Sequence, residues 1–171
     1  MLADLEQQAE GLALAERDAL VAAQQPGEYA AVPIAARFHA SVGADVRLQV
    51  VGFGVIDAEL ARVGEGWLLL VSGRQQSIVR LAAVTAVRGL SPRAVGAASL
   101  PLQASLGLTS ALRGVATDRG EVAVHTTDGS SQRGVIGRVG ADFFEVAPSE
   151  GRLRPDVELV PFAVLAAVRS V

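Results

Sequence analysis

The feature that most constrains this chain is that it repeats itself. A shift of 76 positions aligns residues 33–70 with 109–146 without a gap and lays Arg62-Val63-Gly64 on Arg138-Val139-Gly140. The same shift brings Arg37 onto Arg113, Ala40 onto Ala116, Val46 onto Val122 and Leu48 onto Val124. After a five-residue insertion in the second copy, Ile78-Val79 matches Leu159-Val160, and Ala86-Val87-Arg88 matches Ala167-Val168-Arg169. A repeat of this length is a small domain present twice rather than a solenoid of short units. Whatever one copy folds into, the other must be able to fold into as well.

Within a copy, the hydrophobic period is that of short strands. Val46, Leu48 and Val50 alternate with Arg47 and Gln49, and Ile56, Ala58 and Leu60 alternate with Asp57 and Glu59. Gly52-Phe53-Gly54 and Gly64-Glu65-Gly66 supply the turns. A continuous apolar run from Trp67 to Val71 predicts a strand covered on both faces. Gly73-Arg74-Gln75-Gln76 is expected as a polar loop, followed by a fourth strand over 77–81 and a fifth over 84–88. The second copy reads alike, with strands over 121–127, 134–138, 142–146, 157–161 and 165–169 and an Asp128-Gly129 hairpin turn. Five short strands cannot bury their apolar faces as a flat sheet, so each copy is expected to close into a small barrel.

Helices precede the strands. Residues 2–23 are rich in Ala, Leu, Glu and Gln with Leu2, Leu5, Ala9 and Leu12 at helical spacing, and Pro26-Gly27 ends the run. A second helix is expected from Pro33 to Ser41 or Val42, stopped by Gly43, and its counterpart from an N-cap at Thr109 or Ser110. The organisation expected is thus an N-terminal helix (1–27), a helix with a first barrel (28–90), an Ala/Ser/Gly/Pro connector (91–108) and a helix with a second barrel (109–171). The class is mainly β.

A short helix, five strands, a Gly turn before an apolar third strand and a Val-rich last strand together resemble the Sm-like branch of the SH3-type small barrels. The resemblance implies rings formed by pairing the fourth strand of one unit with the fifth of the next. It also implies single-stranded RNA binding through the loops after strands two and four. At those loops this chain has Gly64-Glu65-Gly66-Trp67 and Leu81-Ala82-Ala83, and in the second copy Ala141-Asp142-Phe143 and Phe162-Ala163-Val164. The aromatic of the first loop is kept, whereas the polar base-contacting positions are absent. The chain as a whole also resembles bacterial proteins of which some are labelled Fis-type regulators. Such regulators end in a helix-turn-helix, where this chain has Val160-Pro161-Phe162 and a β-like tail.

Charge and composition narrow the chemistry. All fifteen basic residues are arginine, as is common in proteins from high-G+C bacterial genomes, and the net charge is -3 with no basic tail. Bulk charge therefore does not mark a nucleic-acid binder. Cysteine is absent, which excludes disulfides and thiolate metal sites. The acidic N-terminus lacks a signal-peptide pattern, so a cytoplasmic protein without a membrane span is expected.

Two histidines, His39 and His125, are too few for a metal cluster or a triad. Asp57 and Glu59 share a strand face without a second catalytic element, and Gly52-Phe53-Gly54 lacks the helix and third glycine of a dinucleotide site. No catalytic residue, metal or cofactor is expected. The leading expectation is a non-enzymatic protein-interaction or assembly module, a homo-oligomer with a two-fold dimer as the default. The alternative is a single-stranded nucleic-acid binder using Arg47, Arg62, Arg74, Arg80 and Arg88 of the first copy. Trp67 and Phe143 are expected in the core rather than as stacking platforms.

Overall fold

The computed structural model describes residues 30–92, 106–148 and 157–171. The expected helix over 2–23 and most of the 91–108 connector lie outside them. The first copy runs α1 (Ile34–His39), β1 (Asp45–Val50), β2 (Gly54–Gly64), β3 (Trp67–Ser72), β4 (Gln75–Arg80), a 3-10 turn (Leu81–Ala83) and β5 (Val84–Arg88). The second runs α2 (Leu108–Asp118), β6 (Glu121–Thr126), β7 (Ser131–Val139), β8 (Phe143–Ala147), β9 (Glu158–Pro161), a 3-10 turn (Phe162–Val164) and β10 (Leu165–Ser170).

The sequence repeat is also a repeat of register. Val46 lies opposite Ala58 as Val122 lies opposite Gly134. Leu60 faces Leu70 as Ile136 faces Val146, and Leu68 faces Val79 as Phe144 faces Val160. Both second strands carry a bulge at the same place, after Leu60 and after Ile136. A bulge bends a strand and increases its twist, which helps a short sheet curl around its own apolar face.

The Arg-Val-Gly repeat has a packing reason. A Cβ on Gly64 would lie 2.2 Å from the Trp67 indole, and one on Gly140 would lie 2.7 Å from the Phe143 ring. Each glycine is the floor on which the next aromatic rests. Trp67 is buried, and its Nε1–H donates to the Leu106 carbonyl at 2.8 Å.

Some element ends differ from expectation. α1 stops at His39, and Gly43, at φ +87°, donates to the Leu60 carbonyl. α2 begins at Leu108 with Gly107 as its N-cap, placing Thr109 and Ser110 inside the first turn. The cause is tertiary: Gly107 forms a parallel bridge with Glu65, and Glu65 N–H donates to the Leu106 carbonyl, which sets the chain direction before Thr109 is reached. Gln75 and Gln76 pair with Ser72 and Val71, so the expected polar loop shrinks to the Gly73-Arg74 turn.

Where the sequence predicts two barrels in tandem, the hydrogen bonding joins both copies in one antiparallel ten-stranded sheet. The order is β5-β1-β2-β3-β4-β10-β6-β7-β8-β9. Ala35–Val171 form one compact unit. Two apolar cores lie within it. Phe38, Leu48, Leu60, Leu68 and Val79 anchor the first, and Leu112, Val124, Ile136, Phe144 and Leu165 the second. Among the described residues no helix is long and apolar enough to cross a membrane.

β10 belongs to both cores. Leu165 and Val168 pack in the second, whereas Ala166 and Ala167 pack in the first. A register shift between Leu165 and Ala167 turns the strand so that it serves both. Ala167 is wholly buried, whereas its repeat partner Ala86 on β5 is exposed. Ala167→Glu should therefore cost about 3 kcal/mol or more, the cost of an unpaired buried charge. Ala86→Glu should stay within about 0.5 kcal/mol. Chemical denaturation of the two variants at low protein concentration checks the contrast.

Candidate functional site

The feature of this fold with the most chemistry is the place where the copies meet. β4 pairs with β10, with Val79 opposite Ala167, Ile78 opposite Val168 and Ser77 opposite Arg169. Side chains pin the ends of this ladder. Arg80 Nη1 donates to the Ala163 carbonyl at 2.6 Å, and the Ser170 hydroxyl accepts from Gln76 N–H at 2.9 Å. Beside the ladder the Phe53 ring meets the His125 ring edge-on at 4.5 Å, and the Arg169 guanidinium lies 5.4 Å from the Phe53 centroid. Gly52 makes this approach possible. Its φ is +71°, and a Cβ there would come 1.9 Å from the Thr126 carbonyl oxygen.

The outer strands are β5 at one end of the sheet and β9 at the other. They are the repeat partners of β10 and β4, the two strands joined at the junction. Thr85 and Ala86 of β5 are exposed where Ala166 and Ala167 of β10 are buried. Leu159 of β9 is 58 % exposed where Ile78 of β4 is 7 % exposed. Each end of the sheet therefore presents the kind of edge that the junction covers.

The five arginines considered for nucleic acid are dispersed. Arg47 and Arg88 face each other across β1 and β5 and share an open cleft of about 710 Å³ with Asp45, Asp57 and Glu59. Arg47 is engaged there, its Nε 2.6 Å and its Nη2 3.0 Å from the Asp57 carboxylate. Arg62 lies instead over Trp67, 5.8 Å from the ring centroid, in a groove walled by Ala111 and Val115 of α2. Its Nε is buried without a hydrogen-bond partner. Arg80 is used at the junction, and Arg74 sits in the β3–β4 turn.

Arginines retained in both copies do different work. Arg138, the partner of Arg62, forks onto Glu145 with Nη2–Oε1 at 2.7 Å and Nε–Oε1 at 3.0 Å. Arg169 lies on the junction aromatic, while its partner Arg88 is exposed at the free edge. Trp67 is buried as expected, whereas Phe143 is only half-buried and its neighbour Phe144 takes the core position of the second copy. Among the described residues no group of three His, Asp or Glu could hold a metal.

Sequence reasoning passed over Gly52, Phe53 and His125 as a turn and an ordinary histidine. The signal that marks them is a failure of the repeat: Gly52 and Phe53 align with Asp128 and Gly129, and His125 with Gln49. The whole stretch 49–57 departs from its counterpart 125–133, and it is the structure that shows which of these differences lie where the copies meet.

No protein-family model and no curated protein matches this chain.

Two titrations probe the arrangement. The hydrogen bond from Arg47, reinforced by its charge, holds Asp57 below the usual carboxylate range. Arg47→Ala should raise the Asp57 pKa toward its ordinary value, read by NMR of the carboxyl carbon. At the junction, burial first and the Arg169 charge second hold His125 below the usual imidazole range. A depressed folded-state pKa means that the stabilisation is complete above the unfolded value of about 6.5 and is lost as pH falls through it toward the folded value. Thermal stability should therefore decline in this window, where His125 protonates in the unfolded chain while the folded one holds it neutral, and His125→Gln should flatten that decline.

Proposed function

We propose that this chain is a non-enzymatic assembly module, two Sm-like small barrels in tandem that associate through strand edges. The barrel reading is supported by the presence of two distinct cores, one centred in each copy and sharing only β10. Five strands with one apolar face enclose such a core best by curling over it, and the bulges after Leu60 and Ile136 favour such a curl.

The observation that carries the assembly reading is the β4–β10 ladder. Within one chain an edge of this fold is recognised by another edge of the same fold. Main-chain hydrogen bonds supply the affinity of such pairing, and alternate side chains supply its specificity. An unpaired edge is a template for a further strand, and the outer strands carry no protective run of charge.

The Arg47–Arg88 cleft favours this reading over nucleic acid. Three acids (Asp45, Asp57 and Glu59) stand against two arginines there, and phosphates would have to displace Asp57 from Arg47.

Sedimentation velocity over a wide concentration range tests the proposal. The sedimentation coefficient should rise with concentration, while fluorescence anisotropy of short labelled RNA and DNA strands should stay flat at low salt. A chain that remains monomeric throughout, yet binds these strands with a steep salt dependence, would overturn it.

A further inference from the structure

The first copy holds an arginine whose partner is missing, and the second copy shows what that partner is. We propose that the groove between α2 and the β3–β4 face is a binding site for a small monocarboxylate with an apolar body, its carboxylate docked on the Arg62 guanidinium. The groove is built from β2, β3, β4 and α2, not from the β5 and β9 edges, so the proposal stands independently of the assembly reading.

The repeat supplies the chemistry. In the second copy Arg138 grips Glu145, its Nε 3.0 and 3.1 Å from the two carboxylate oxygens and its Nη2 2.7 Å from Oε1. The shift that lays Arg62 on Arg138 lays Leu69 on Glu145. Leu69 stands directly opposite Arg62 on the β2–β3 ladder. The first copy thus keeps the arginine and has an apolar residue where the carboxylate belongs. Trp67 lies 5.8 Å from the guanidinium carbon, but an indole offers the guanidinium N–H groups no lone pair in the ring plane. Arg62 Nε is left buried without a hydrogen-bond partner. A buried donor is costly unless something accepts from it.

The groove has room for a guest. Its cavity of about 220 Å³ is walled by Leu69 and Ile78 from the sheet and by Ala111, Gly114 and Val115 from α2. These three helical positions share one face. Gly114 lies inside the helix, where glycine is less favourable than alanine. No packing requires it, since a Cβ there would meet nothing within 4 Å. Its effect is to keep the groove open.

The lining also sets the class of guest. Among the described residues no acid lines this cavity, and the Ser110 hydroxyl and Gln76 amide are its neutral polar groups. Its size, below the usual range for drug-sized ligands, suits a small acid. Leu69, Gln76, Ile78 and Val115 are shared with a second cavity of about 140 Å³ that is bordered by Asp118 and Glu121. A second carboxylate on the guest would meet those two acids, so the site selects a single negative charge.

Isothermal titration calorimetry of the full chain with phenylacetate and with isocaproate tests the site. Trp67, the single tryptophan of the chain, gives a fluorescence readout at the same place. Both acids should bind saturably. Phenylacetamide, which lacks the charge, and phenylsuccinate, which adds a second one, should bind about tenfold more weakly or not at all. R62Q should weaken phenylacetate by about the same factor. Leu69→Glu, which recreates the pair of the second copy, and Gly114→Leu, which fills the groove, should each abolish binding in chains that circular dichroism shows to be folded.

A parent chain that binds neither acid at millimolar concentration overturns the proposal, as does phenylacetate binding that R62Q or L69E leaves unchanged. Equal affinity for phenylacetate and phenylacetamide would mark an apolar cavity without a carboxylate site and overturns it as well.

Discussion

Hydrogen bonding between β4 and β10 is the interaction on which the rest of this structure depends. Each copy has five strands and two edges, and each edge carries backbone groups that need partners. Joining the two copies satisfies one edge of each and leaves one of each open. The same strand contact completes the first core, since Ala166 and Ala167 of the second copy are among its buried residues. The first copy is therefore not self-sufficient, and the two copies form a single compact unit rather than beads on a linker.

Small residues make that contact possible. Ala166 and Ala167 leave room for the first core, and Gly52 allows the β1–β2 turn to rest against the Thr126 backbone. A side chain at position 52 would collide with the Thr126 carbonyl and lift the turn off the second copy. Around this close seam the chain places an aromatic pair, Phe53 with His125, and an arginine over the ring. The equivalent positions of the other copy hold Gly129 and Gln49, so the seam takes one distinctive residue from each copy, Phe53 from the first and His125 from the second.

The arginines illustrate how position in an assembly, rather than residue type, decides a role. Arg138 forks onto a carboxylate, Arg62 lies over an indole, Arg169 lies over the junction phenylalanine, Arg47 holds Asp57, and Arg80 ties a carbonyl across the seam. From sequence they form one class of candidate. Their neighbours come from strands distant in the chain, so nothing local distinguishes them. The candidate surface was legible only in part for the same reason: Arg47 and Arg88 share a cleft, whereas Arg62, Arg74 and Arg80 are placed elsewhere.

The sequence by itself determined the duplication, the ten strands, the turns at Gly52, Gly66 and Asp128-Gly129, and the burial of Trp67 beside Gly64, but not the place of Phe143 beside Gly140, which is only half-buried. These follow from alternation over a few residues and from backbone angles only glycine adopts readily, both of them local properties. Only the tertiary structure decided which edges join, where α2 starts, and that two five-stranded units share one sheet. Strand edges are chemically alike along their backbones, so the choice among them rests on the fit of side chains far apart in sequence. Ala167 reads as an ordinary alanine until Val79 lies opposite it.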